Sequence, residues 1–475
     1  MTSHIQDIDT LIAALHPHVF MGLFNYKLHP PTSLQPSKDT AEFRDFVQAF
    51  ATLFSFHPGC DAAAVAAQTS QPGNSSLHIC LSPSIPHEFK ENVEKWLNQF
   101  MALRRESKSA RNVQRGDTFS PLERCFILDT YRVCYSAMHQ QTASHGFGDW
   151  DVFVDEPRDV DETQAGFVDE PPAVTDTVQL KPTEDEEQLR ETYAVELEDF
   201  SKLVRSFAAC LSGRSLGEDE SDVLEFHKLC MDICDKMSSD GFSEYLDEYI
   251  YCGDVGPRLT YFNLPRALST LLSLSQTPKI SQLDDEWGSD ILDTSKGVRQ
   301  FSAVMTKAFL AKRFGEEPGI KWENVVQAFQ ISAARPNGSY GMGYQWDADK
   351  NLLSTAGPVT LHPEMTLIQH LLENSGRKAE AYIACSRTPC YASAMYAVAV
   401  NNTLNTRFTM HIDDPEWCQL YSAKPWILLE DTQSDIMTTM KEYLLRDLNK
   451  LVQLWVQERW SNVQILSSDD NLAWG

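Results

Sequence analysis

The chain lacks any long hydrophobic run. Its longest apolar stretches are short, such as Ala394–Val400, far below the roughly 18–20 residues that a bilayer requires. A membrane span is therefore not expected. The chain is also poor in basic charge, with 40 Lys and Arg against 67 Asp and Glu and a formal net charge of −27. That balance excludes coating of nucleic acid through bulk charge, because phosphate binding needs cations to displace counterions. The N-terminal segment carries Asp7 and Asp9 but has no basic n-region and no A-x-A-like cleavage site. It reads as an amphipathic helix over Met1–His16 rather than a secretory signal. Cysteine is sparse and odd in number, 11 in 475 residues, unlike the dense, even set of a disulfide scaffold. Together these absences predict an intracellular protein, cytoplasmic or nuclear, whose thiols are mostly buried and reduced.

What is present suffices for folded cores: 42% of residues are apolar and 23% charged, and the length suits two or three domains. The expected class is α+β and multidomain, helical over the N-terminal two thirds. Residues 1–148 contain two apolar stripes at helical spacing, Phe43, Phe46, Val47, Phe50, Leu53 and Phe54, then Phe89, Val93, Trp96, Leu97, Phe100 and Met101. A short strand is expected at Leu77–Leu81. A third helix is expected from Pro121, with Ser120 as its N-cap. The basic stretch Arg104, Arg105, Lys108, Arg111, Arg115 is read as a solvated helix end, with phosphate or an import receptor as the sharper alternative. Residues 149–188 hold 14 acidic and 2 basic residues and read as a disordered acidic linker. The motif Phe-Val-Asp-Glu-Pro occurs in it twice, at Phe153 and Phe167, either as a spacer or as a docking motif for a basic protein partner. Residues 189–320 read as helical again, with helices over Asp222–Met237 and Lys296–Phe314. His227, Cys230 and Cys234 share one helical face there, and a buried face is a better reading than a metal site, since no second cysteine pair is near.

From residue 321 the pattern changes to short apolar runs between helices, namely Val325–Ile331, Ala381–Cys385, Phe408–Ile412 and Trp426–Leu429. Helices are expected at Pro363–Asn374, Cys390–Val400 and Ser434–Trp460. Strands alternating with helices predict a three-layer α/β unit over 321–475. The aromatic loop from Ser339 to Trp346 is either a packed turn or a platform for stacking on a base.

Two short motifs carry chemistry. His362-Pro363-Glu364 opens one helix, and Pro389-Cys390 opens another 28 residues after His362, directly behind the strand Ala381–Cys385. Pro363 suits the first helical turn, where its missing N–H costs nothing. A helix N-terminus favours the thiolate of Cys390 through its free N–H groups and dipole. Two such openings at adjacent strand ends bring a histidine and a cysteine together.

The pair resembles the signature of the zinc-dependent nucleobase deaminases, H-x-E followed by P-C-x-x-C. The run from Ala381 to Tyr391 is also similar to a bacterial-toxin-related deaminase-like family found widely in fungi. The resemblance covers roughly residues 320–430 and implies a cytidine deaminase-like α/β/α domain. It implies that His362 and Cys390 bind Zn²⁺, and that the metal supplies a hydroxide. It further implies that Glu364 carries the proton from water to the ring nitrogen and then to the departing ammonia. The substrate would be a nucleobase in a nucleoside or a nucleic acid.

One position departs from the pattern. Ser393 stands where the second thiolate belongs, and a neutral hydroxyl is a poor zinc ligand. Cys385 is a substitute ligand if the strand end turns inward, and His411 and Cys418 have weaker claims. Two function classes remain open: a hydrolase, or a catalytically inactive deaminase-fold scaffold used for protein interaction. The 155 residues from 321 onward carry 12 basic and 17 acidic groups, so strong non-specific nucleic-acid binding is not expected in either case.

Overall fold

In a computed structural model the described residues are 2–14, 41–71, 74–82, 85–109, 119–144, 192–212, 216, 219–239, 241–242, 262–277, 287–292, 298–306, 308–309, 344–360, 362–375, 380–387, 389, 391–410 and 432–449. The acidic segment 149–188, the strand expectations at Val325–Ile331 and Trp426–Leu429, Cys390, His411 and Cys418 lie outside them. The chain divides into two compact units, one made of residues 1–101 and 277–475 and the other of residues 102–276.

The first unit contains a helix at each place where apolar spacing demands one: α1 (Thr2–Ala14), α2 (Ala41–Ser55) and the first half of α3 (Phe89–Ser109). The two phenylalanine stripes face each other. Phe46 and Phe50 meet Phe100 at ring-centroid distances of 5.1 and 5.8 Å, and Phe54 meets Phe89 and Trp96 at 5.5 and 6.1 Å.

Between these helices a hairpin forms from β1 (Ala62–Gln71) and β2 (Asn74–Ser82). Only the second strand is legible from apolar alternation, because β1 begins with an alanine-rich run in which Val65 is the single β-branched residue. The hairpin joins β3 (Trp287–Leu292), β7 (Glu380–Cys385) and β8 (Arg407–Met410) in one five-stranded sheet of order β3-β2-β1-β7-β8. The pairs β2/β3 and β7/β8 are parallel, while β1 runs antiparallel to both its neighbours. Three further strands, β4 (Val298–Thr306), β5 (Tyr344–Asp347) and β6 (Leu352–Thr360), make a second sheet of order β4-β6-β5.

Two expectations change here. The helix over Lys296–Phe314 is replaced across Val298–Thr306 by β4, where Ala303 and Met305 are buried and Ser302, Val304 and Thr306 are exposed. That is a period of two rather than 3.6. The sheet expected within residues 321–475 also takes three strands from outside that range. Ala64, Val65 and Ala66 pair with Cys385, Ala384 and Ile383, so β7 is completed by residues more than 300 positions earlier.

Helices α8 (Pro363–Ser375), α9 (Tyr391–Leu404) and α10 (434–449) follow as the C-terminal periodicity predicts. Ala64, Ala66, Cys80, Ile383 and Cys385 join one apolar cluster with α1, α8, α9 and α10. The alternate position Tyr382 instead reaches α2, where its hydroxyl meets Gln48. Helices therefore cover both faces of the sheet.

The second unit is helical, with α4 (Pro121–Ser144), α5 (Ala194–Ser212), α6 (Glu220–Met237) and α7 (Asn263–Gln276). The start of α4 is a reciprocal capping box. Glu123 N–H donates to Ser120 Oγ at 3.3 Å, and Ser120 N–H donates to Glu123 Oε2 at 2.7 Å. Arg104, expected on a solvated face, is buried at 3% exposure while Arg105 is exposed.

His227 lies at the centre of this unit, with Tyr131 Oη at 3.2 Å from its Nδ1 and Ser269 Oγ at 3.3 Å from its Nε2. Burial lowers its pKa from 6.5 to about 4. The unfolded chain thus binds a proton between those values and the folded unit does not, so stability falls as pH falls through that window. The full loss is about 3 kcal/mol. Amide exchange in α6 is expected to accelerate between pH 6.5 and 4 beyond its intrinsic pH dependence, and a His227→Gln variant to show a flatter profile. Equal profiles would refute this account of the helix bundle.

Candidate functional site

The site is assembled by the two helix openings. Pro363 is the first residue of α8, and the His362 carbonyl accepts from Met365 N–H at 3.1 Å. His362 therefore stands at the helix mouth with Glu364 in the first turn. Ser393 is the third residue of α9 and is fully buried. Between these helices runs β7. Its end is tied to β1 by Ser386 N–H donating to the Ala63 carbonyl and Ala63 N–H donating to Ser386 Oγ, both at 2.9 Å. It is tied to α2 by Gln48 Nε2 donating to the Cys385 carbonyl at 2.7 Å.

Three of the residues singled out from sequence converge. His362 Nδ1 lies 3.1 Å from Ser393 Oγ and 3.4 Å from Glu364 Oε1. Glu364 is 5% exposed. Burial raises its carboxyl, but the hydrogen bond and charge of His362, the Ser393 hydroxyl and its own N–H together hold it below the ordinary glutamate value. The result is a carboxylate that stays ionised in an apolar setting because two side chains from separate helices support it. The hydroxyl and the carboxylate approach the same imidazole nitrogen, so this is not a nucleophile–base–orienter relay, which needs them on opposite nitrogens.

Cys385 is buried at the end of β7, but it does not complete a ligand set with this group. Among the described residues the one trio of His, Cys, Asp or Glu whose ligand atoms all lie within 4.8 Å of one another is His78, Asp290 and His370. His227, Cys230 and Cys234 do not form such a trio either. Cys230 and Cys234 are buried, and their thiol pKa values are raised mainly by burial, that of Cys234 to about 12. They are a neutral helix face.

Sequence reasoning missed Cys80. It is buried on β2, and its thiol pKa is raised by burial and by the Glu364 charge. Its only sequence signal was its place in the Leu77–Leu81 strand, and no spacing rule links position 80 to position 364. A depression lined by Gln369, Tyr396 and Gln433, among others, does not include His362, Glu364 or Ser393.

The fit to zinc is decided by donor chemistry. Ligands on a tetrahedral zinc at 2.0–2.2 Å lie about 3.3 Å apart, so the spacing from Nδ1 to Ser393 Oγ is suitable. The hydroxyl itself is a weak, neutral donor. Among the described residues His362 is then the single strong ligand beside Glu364, which does not fit a three-ligand zinc centre. No family model, curated protein or solved structure matches the chain.

Proposed function

We propose that the unit built on the five-stranded sheet is a deaminase-like domain. Its reaction is hydrolytic removal of an exocyclic amine from a nucleobase, water entering and ammonia leaving. The observation that supports the reading is the convergence of His362 and Glu364 with position 393, from two helix openings that flank one strand. An H-x-E and P-C-x-x-C pair needs that convergence. Glu364 takes a proton from the attacking water and gives it to the ring nitrogen as the oxygen bonds to the amine-bearing carbon, then carries the hydroxyl proton of that adduct to the amine, which leaves as ammonia as the C=O bond forms. His362 holds Glu364 ionised for the first of these steps. No step is routed through zinc.

The experiment is ammonia release from nucleosides and from single-stranded DNA and RNA, with and without added zinc. Glu364→Gln is expected to lower the rate by about 10²–10⁴-fold, the usual contribution of a positioned acid–base group. Ser393→Cys is expected to raise zinc affinity by roughly two to three decades, on the order of one ligand's share of a structural zinc site.

A second reading is favoured by one observation, the contact of Ser393 Oγ with His362 Nδ1. It takes the fold as a non-catalytic scaffold in which this hydrogen bond replaces a metal bond. Absence of ammonia release from both the wild type and Ser393→Cys, with zinc present, selects the scaffold.

A further inference from the structure

A different cluster in the same unit has the donors of a metal centre. His78 on β2 and Asp290 on β3 are register partners in the parallel pairing, so their side chains leave the same face of the sheet side by side. His370, from α8, meets them there. His78 Nδ1 lies 3.4 Å from Asp290 Oδ2, and His370 Nε2 lies 3.2 Å from the same oxygen. The two imidazole centroids are 5.2 Å apart. All three ligand atoms fall within 4.8 Å of one another. We propose that His78, Asp290 and His370 form a binding site for a divalent transition metal, with zinc as the ion to be tested.

Four features carry this. Two imidazoles and one carboxylate are the donors that borderline divalent ions take, whereas calcium and magnesium select oxygen. The separations of 3.2 and 3.4 Å match the roughly 3.3 Å edge of a tetrahedron with 2.0–2.2 Å bonds. The outer nitrogen of His78 meets Ser76 Oγ at 3.2 Å, the kind of partner that fixes a ligating ring and its tautomer. Burial is graded, with His78 buried, His370 partly buried and the Asp290 side chain half-exposed. An ion can therefore reach the site and keep a water in its fourth position.

One further contact falls on a ligating nitrogen: Asn374 Nδ2 lies 2.9 Å from His370 Nε2. Binding exchanges this amide for the ion. The site would pin β3, an edge strand of the sheet, to the helix that carries His362 and Glu364, and it shares no residue with them.

The test uses the full chain, stripped with a chelator and titrated with Zn²⁺, with Co²⁺ absorption as a second readout. Asp290→Asn and His370→Ala are each expected to weaken one equivalent of zinc by about 10²–10³-fold. Cys390→Ser should leave that equivalent in place, which separates this site from the one proposed above. Asp290 is half-exposed, so its amide variant tests the ligand without removing core packing. The proposal is overturned if the wild type takes up no zinc at micromolar concentration, or if Asp290→Asn and His370→Ala bind it as tightly as the wild type.

Discussion

Replacing His362 with alanine is expected to destabilise the sheet-bearing unit by about 3–5 kcal/mol, the usual cost of removing one partner from a buried charged pair. The packing lost at the helix mouth is small by comparison. The larger cost is that Glu364, 5% exposed, loses both the hydrogen bond and the charge that offset its burial. The pH dependence should reverse as well. In the wild type the carboxyl lies below its ordinary value. Its contribution is therefore present above pH 4.5 and lost as pH falls through the folded pKa. Without His362, burial dominates and the carboxyl rises above 4.5. Stability then falls as pH rises through the unfolded value. Adding Glu364→Gln to His362→Ala should recover most of the loss at pH 7, because no charge is left to desolvate. Thermal melts of the two variants between pH 4 and 8 check this. If they match each other at every pH, the pair is not what holds this helix opening.

The sequence made the site legible because its residues sit beside strong punctuation. Pro363 and Pro389 mark helix openings, and the apolar run Ala381–Cys385 marks the strand between them. Local rules sufficient to place α8, β7 and α9 also bring His362 and Ser393 together. They fail where the fold is completed by distant chain. Nothing local to Ala62–Ala67 announces a strand, since alanine packs in either period, yet that segment is the neighbour of β7. The pairing of His78 with Asp290 depends on a parallel register between segments about 200 residues apart, a property that no window of sequence contains. The error at Val298–Thr306 is of another kind. In a short run of mixed apolar and polar residues helix and strand periods compete, and pairing with β6 decides in favour of the strand.

Asp9→Asn is expected to stabilise the sheet-bearing unit by up to about 4 kcal/mol at pH 8 and by little at pH 4. Asp7 and Asp9 look alike in the sequence, but two positions on a helix are about 200° apart. Asp7 is exposed and pairs with Lys441, an arrangement worth little. Asp9 is 8% exposed within the cluster that α1 forms against α8, α9 and α10, and its Oδ1 has no hydrogen-bond partner. Burial raises its pKa from 3.8 to about 7. Between those values the folded unit holds a proton that the unfolded chain has released, so stability falls as pH rises through the window, the reverse of His227. The asparagine copies the protonated form and removes that dependence. Amide exchange in α1, compared between wild type and Asp9→Asn from pH 4 to 8, reads the effect without involving the helical unit. A constant difference across that range would mean that Asp9 is not titrating there. If the difference grows with pH as expected, the chain's two units respond to acid in opposite directions. Asp9 makes the sheet-bearing unit firmer as pH falls, and His227 makes the helical unit weaker. Mild acid would then lower the stability of the helical unit while raising that of the unit that carries both candidate sites.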